Sequence, residues 1–276
     1  MSQIFSVLNP PPVQTSERQD WPKLEGLALA LALAAFSRRK GGPVLVAAAD
    51  GYSARQLRDD LAGLDAPSVD LFPDWETLPY DLYSPHPDLV SRRMDLLSRL
   101  PHLDRGLIIV PITALMQRLA PVSWLLGHSL HLRSGQQLEP SGFRNLLQDA
   151  GYQSAEQVWQ PGQFATRGAV IDLWPMGLEL PFRLELFDDE IDTIRSFDPE
   201  SQRSIEKLDR INLLPAREFP FDETSRGEFR RRFRTRFDVD LRRALPYQEV
   251  GDGIAGQGLE QYLPLFFEGT SALIDF

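Results

Sequence analysis

The sequence predicts an α/β chain in which a parallel, doubly wound sheet domain is interrupted by a smaller α+β domain. Three observations predict it. Short apolar runs, PVLVAAA (43–49), SVDLF (68–72) and GLIIVP (106–111), alternate with stretches of helical period, the pattern of strand–helix–strand units in a parallel sheet. From His128 the texture changes to short alternating strands and tight turns. NLLPAREF (212–219) then reads as a return to the first domain. The expected division is 1–128 for the first segment of the parallel domain, 129–212 for the inserted domain and 213–276 for the second segment.

Taken in order, residues 1–20 are polar and proline-rich and are expected to form a mobile leader. Trp21 to Lys40 alternates leucine and alanine, both strong helix formers, so a helix is expected there, ended by Gly41 and Gly42. PVLVAAA reads as a fully buried strand. Ser53 is placed to cap a helix whose Ala54, Leu57, Leu61 and Leu64 share one face. SVDLF is a second short strand. A proline-studded loop from Pro73 to Pro87 leads to a helix marked by Val90, Met94 and Leu97, and GLIIVP is a third buried strand running into a helix at TALMQRL. In the inserted domain, HSLHLRSGQQL (128–138) reads as a strand and turn. Ser141 is expected to cap a helix with Phe143, Leu146, Leu147 and Ala150 on one face and Gly151 as its stop. GAVIDLW, PFRLELF and EIDTIRSF read as antiparallel strands, the last two joined in a hairpin at Asp188 and Asp189. FRRRFRTRF (229–237) is helical, with Phe229, Phe233 and Phe237 as a core stripe, and GDGIAGQGLEQYLPLFF begins as a glycine-rich turn and ends apolar.

Composition narrows the function. The 276 residues are 42% hydrophobic and 25% charged, the balance of a globular protein large enough for two domains. Zero cysteines exclude disulfides, thiol catalysis and thiolate metal sites, and fit a reducing cytoplasm. The most apolar run, Gly26 to Phe36, is half the length needed to span a bilayer. A net charge of −10 argues against a general electrostatic grip on nucleic acid. Arg226 to Arg243 holds eight arginines against three acids, which suits either a phosphate backbone or the exposed side of a helix paired with acids. The chain stops inside an apolar run, ALIDF, as a piece of a longer protein would.

PFRLELF carries the sharpest functional signal. Phe182, Leu184 and Leu186 alternate with Arg183, Glu185 and Phe187, so one face of the strand is buried and the other presents an arginine, a glutamate and a phenylalanine. An exposed aromatic beside an arginine is what protein-binding hot spots are made of. An ordinary sheet with a solvated face carries the same pattern. FATRGAVIDLWPMG (164–177) followed by RLELFDDEIDTIRSFDPESQR (183–203) resembles the module shared by the excision-repair helicase UvrB and the transcription-repair coupling factors, and DWETLPYDLYSPHPD (74–88) resembles the coupling factors specifically. With LIIVPITALMQR and INLLPAREF the resemblance runs from about Pro43 to about Phe221.

That resemblance implies the N-terminal, UvrB-like region of a coupling factor: a RecA-like parallel-sheet domain lacking its phosphate-binding loop, with an inserted domain that binds UvrA and recruits excision repair to stalled RNA polymerase. It implies UvrA-contacting roles for Arg167, Arg183 and Phe187, a C-terminal domain that covers this surface, and contacts to RNA polymerase and DNA made by other regions. ATP and magnesium would serve only the parent's motor. At the place where a phosphate loop belongs, KLEGLALALALAAF (23–36) has one glycine, no lysine after it and no serine or threonine, so the groups that cradle phosphate and magnesium are missing. A UvrB-like ATPase and a purely structural lid are the competing readings.

No residue stands out as catalytic. Asp188, Asp189, Glu190 and Asp192 read as a solvated hairpin turn rather than a magnesium site, and Asp198, Pro199, Glu200 and Ser201 as a turn. His86 reads as a loop histidine. Glu76 has no assigned reaction, and Trp75, Leu78 and Tyr80 are expected to pack the long loop down.

Overall fold

The computed structural model describes residues 6–11, 18–64, 66–79 and 81–276. In chain order the helices and strands are α1 (Leu27–Arg39), β1 (Gly42–Ala48), α2 (Gly51–Ala62), β2 (Val69–Leu71), α3 (Pro87–Arg99), β3 (Arg105–Pro111), α4 (Ile112–Leu115) and α5 (Val122–Gly127). There follow β4 (Leu130–Arg133), α6 (Pro140–Asp149), β5 (Gln153–Ser154), β6 (Gln163–Arg167), β7 (Val170–Leu173), β8 (Phe182–Phe187), β9 (Glu190–Phe197), β10 (Ser204–Leu208), β11 (Arg210–Leu213), α7 (Glu223–Arg236) and α8 (Leu245–Gly251). The chain forms two compact units. One comprises residues 1–74 and 99–117, the other 75–98 and 118–276. Much of the expected leader lies outside the described residues.

The first unit is a parallel sheet of order β1-β3-β2. β3 lies between two partners, and its residues from Gly106 to Pro111 are buried. β1 pairs on one side only, with Val44 opposite Leu107 and Val46 opposite Ile109, and its residues alternate between half-buried and exposed. The full burial expected of PVLVAAA is therefore found in GLIIVP alone, because an edge strand lacks the second neighbour that covers a central one. Ala30, Leu33 and Ala34 of α1 and Ala54, Leu57 and Leu61 of α2 close the core over Leu107 and Ile109. α1 starts at Leu27, later than the expected Trp21, behind Gly26 in a left-handed conformation (φ 54°). The cap of α2 is Asp50, whose carboxylate accepts from Ser53 N at 2.7 Å, so Ser53 donates where it was expected to cap. TALMQRL supplies only the single turn α4, and Met116 beyond it is exposed.

In the second unit a six-stranded sheet runs β10-β9-β8-β7-β6-β5, antiparallel throughout except for β5 with β6. One face packs Phe164, Ile171, Leu173, Phe182, Leu184 and Ile194 against Phe143 and Leu147 of α6 and against Leu132, Ile211 and Leu213 of the two-stranded β4–β11 ladder. α6 is capped by Glu139, which accepts from Ser141 N and Gly142 N, with Pro140 in its first turn; the expected cap, Ser141, is inside the helix. Gly151 ends it at φ 94°, where a Cβ would lie 2.6 Å from the Arg217 side chain. Leu146, expected on the core face of α6, is exposed.

Two further clusters complete this unit. Phe229 and Phe233 of α7 pack with Tyr247, Val250, Leu263 and Phe266, with Phe237 partly buried at the edge, as the four-residue spacing predicted. Arg93 of α3 and Glu218 form a fully buried ion pair at 2.6 Å, with the Trp75 indole donating to the same carboxylate at 3.0 Å and the guanidinium 5.0 Å from the Trp75 ring.

Candidate protein-docking face

The outer face of the six-stranded sheet follows from the register. Ala165 on β6 stands opposite Asp172 on β7, Asp172 opposite Arg183 on β8, and Arg183 opposite Arg195 on β9. Alternation along β8 buries Phe182, Leu184 and Leu186 on the core side and leaves Arg183 and Glu185 half-buried and Phe187 75% exposed on the other. The faces read from PFRLELF are the faces observed.

This outer face is not uniformly solvated. Val158, Ala165 and Phe197 form a small buried cluster on it, with Trp174 packed alongside. On the same face, opposite Ala165, Asp172 is 1% exposed. Its Oδ1 accepts from Arg183 Nε at 2.7 Å, and its Oδ2 accepts from Arg183 Nη2 at 2.9 Å and from Arg167 Nη2 at 2.6 Å. The Arg183 guanidinium also lies 4.8 Å from the Phe197 ring, and its Nη1 donates to Gln202 O at 3.4 Å. The Arg183 side chain is 20% exposed and that of Arg167 54%. Hydrogen bonding to Asp172 raises the Arg183 pKa above its ordinary value, against the opposing effect of burial.

The structure thus brings Arg167 and Arg183 together on one carboxylate, and it puts Phe187 on the same face at the far end of β8, where Glu190 stands opposite it. Glu185 between them accepts from Thr193 Oγ1 at 2.7 Å. Sequence reasoning did not single out Asp172. The signal was present in GAVIDLW, where Asp172 falls on the face opposite Ile171 and Leu173, but an acid there reads as solvated until the strand across from it is known.

The other candidates fall as follows. Asp188, Asp189, Glu190 and Asp192 are exposed in and beside the β8–β9 turn, with Asp188 at φ 53°. Among the described residues no group of three or more His, Asp or Glu side chains is placed to hold a metal ion. Asp198 accepts from Ser201 N at 2.6 Å, a turn contact that lowers its pKa. His86 Nδ1 accepts from Asp88 N at 3.3 Å at the start of α3. Trp75 is buried as expected, whereas Leu78, expected to pack, is 73% exposed; the loop turns there, with Leu78 N donating to Asp81, and its side chain faces out. Tyr80 lies outside the described residues. In the arginine-rich segment, Arg231 and Arg232 pair with Glu228, Arg243 with Asp240, and Arg226 and Arg230 lie over Phe221 and Tyr247. The acids that meet these arginines are neighbours in the same segment.

Residues 130–219 match the family described as the UvrB interaction domain. The chain is 44% identical over 256 residues to the transcription-repair-coupling factor of Escherichia coli (strain K12), covering 93% of this chain and 22% of that protein. It is 42% identical over 249 residues to the coupling factor of Haemophilus influenzae (90% of this chain, 22% of that protein) and 30% identical over 272 residues to that of Bacillus subtilis (92% and 23%). The chain therefore spans less than a quarter of the length of these relatives.

Proposed function

Because the chain is homologous to the transcription-repair-coupling factors over 93% of its length and carries a UvrB interaction domain at residues 130–219, we propose that it is the docking module by which such a factor binds UvrA. The observation that carries this reading is the outer face of β6–β9: Phe187, 75% exposed, shares a strand face with Arg183 and, through Asp172, with Arg167, inside the matched domain. An exposed aromatic on the same strand face as anchored guanidinium groups matches the aromatic-and-arginine composition of an interface hot spot. In the longer protein, docking here recruits excision repair to stalled RNA polymerase, contacts to polymerase and DNA come from other regions, and a C-terminal domain covers this face until it is needed.

The reading also makes the chain non-enzymatic and without a cofactor of its own. Its parallel sheet is taken as a RecA-like domain, residues 1–128 and 213–276, that has lost its phosphate loop, with 129–212 inserted; KLEGLALALALAAF lacks the lysine and hydroxyl such a loop requires. ATP and magnesium belong to the parent's motor. Among the described residues no helix is long and apolar enough to cross a membrane, and the cysteine-free composition fits a cytoplasmic site of action.

The test is a titration of the 276-residue chain with purified UvrA. Saturable binding is expected, weakened roughly thirtyfold by Phe187→Ala through loss of about 2 kcal/mol of a buried aromatic anchor. Absence of binding by the folded parent chain, or a Phe187→Ala variant as tight as the parent, overturns the docking assignment.

A further inference from the structure

Asp172 is placed as no ordinary structural acid needs to be. Its two oxygens are already satisfied by the fork of Arg183, which donates through Nε and Nη2 at 2.7 and 2.9 Å in the bidentate geometry that fixes a guanidinium plane. Arg167 adds a third donor at 2.6 Å from the solvent side. For stability of the sheet this second cation is surplus, since it brings like charges together on a carboxylate that is already paired. Its side chain stays 54% exposed, and its hydrogen bond to Asp172 is made through Nη2. Arg183 by contrast is held on three sides, by Asp172, by the Phe197 ring at 4.8 Å and by the Gln202 carbonyl, and is 20% exposed.

We infer that Asp172 is the positioning residue of the docking face, a buried carboxylate that clamps two guanidinium groups in one orientation and leaves one net positive charge, carried mainly by Arg167, aimed at the partner. This deepens the docking assignment and rests on it. Three consequences distinguish positioning from mere packing. Charge alone is not enough: a lysine at position 167 keeps the cation but lacks the rigid plane of a guanidinium, so it cannot hold Asp172 while keeping its remaining donors in one fixed orientation. The effect of losing Asp172 must pass through the arginines, so it vanishes where they are already gone. And Phe187, four residues beyond Arg183 on β8 and outside the hydrogen bonds that Asp172 accepts, contributes independently.

The experiment is a double-mutant cycle on UvrA affinity with the full 276-residue chain, run beside thermal unfolding. Asp172→Asn preserves shape and removes the charge; it is expected to weaken UvrA binding roughly tenfold or more, as loss of a charge-assisted bidentate pair does. In an Arg167→Gln, Arg183→Gln background the same change is expected to have no further effect on affinity. Arg167→Lys, at a half-exposed position where folding is not at stake, is expected to lose roughly tenfold in affinity with its thermal midpoint unmoved. Folded Asp172→Asn protein that binds as tightly as the parent overturns the inference, as does an Asp172→Asn effect of full size without the two arginines. If Asp172→Asn does not fold, Arg167→Lys decides alone, and parental affinity there is fatal to the clamp. A parent chain that binds and loses affinity with Phe187→Ala, while these variants bind normally, would leave the docking face intact and remove only Asp172 from it.

Discussion

Replacing Arg183 by glutamate sets a second carboxylate against Asp172, which is 1% exposed and holds both of its oxygens toward that position. From strand alternation alone this would be a surface reversal with little cost to folding. The ion pair makes it a core event: removing one partner of a buried pair costs about 3–5 kcal/mol, and the incoming like charge adds to it. Arg183→Glu should therefore lose UvrA binding and destabilise the second unit together, whereas Phe187→Ala should lose affinity with stability within about 0.5 kcal/mol of the parent. Urea unfolding of both variants separates them, and an Arg183→Glu midpoint equal to the parent's would mean that the guanidinium is not engaged in solution. The alternation in PFRLELF was enough to place all six side chains on their faces. It carried no information on what covers the outer face, because Asp172, Ala165 and Phe197 reach it from three other strands whose register only the fold defines.

The elements were legible in proportion to how local their causes are. The β8–β9 hairpin, the α3 face of Val90, Met94 and Leu97, and the phenylalanine stripe of α7 follow from spacing and turn chemistry and stand as read. Caps were misassigned by two or three residues, since the carboxylates of Asp50 and Glu139 accept from the backbone amides of Ser53 and Ser141 themselves and so place those serines inside the first turn. The Arg93–Glu218–Trp75 cluster was invisible, joining positions 125 and 143 residues apart. Two predictions belong to these elements. Leu184→Ala, fully buried at the centre of β8, should destabilise by roughly 2–5 kcal/mol through a core cavity, and a cost under about 1 kcal/mol would mean the strand is not packed as described. Arg93→Met leaves Glu218 buried with the Trp75 indole alone to meet its charge, and should cost about 3–5 kcal/mol. Adding Glu218→Gln should recover part of that loss; a double variant no more stable than Arg93→Met would show that the carboxylate is not the strained group.

Charge and its distribution set what the whole chain can bind apart from the proposed docking partner. The chain carries −10 overall, and the cations that would have to grip a phosphate backbone are concentrated between Arg226 and Arg243. Arg231 and Arg232 share Glu228, Arg232 Nη1 also donates to the Leu265 carbonyl, Arg243 reaches Asp240, and Arg226 and Arg230 lie over Phe221 and Tyr247. Surface pairs of this kind are individually weak, so they do not prevent contact with DNA, but each must be given up for a phosphate contact while the rest of the acidic surface repels the same polyanion. Duplex DNA binding should therefore stay in the non-specific range, with a dissociation constant of roughly 10⁻⁴–10⁻⁶ M near 150 mM salt, and its logarithm should vary with log salt with a slope reflecting only a few released counterions. A fluorescence-anisotropy titration of a labelled duplex across salt concentrations measures both. Submicromolar affinity at about 150 mM salt, lost on Arg234→Ala and Arg236→Ala at the exposed end of α7, would place a nucleic-acid site on this helix, separate from the proposed docking face.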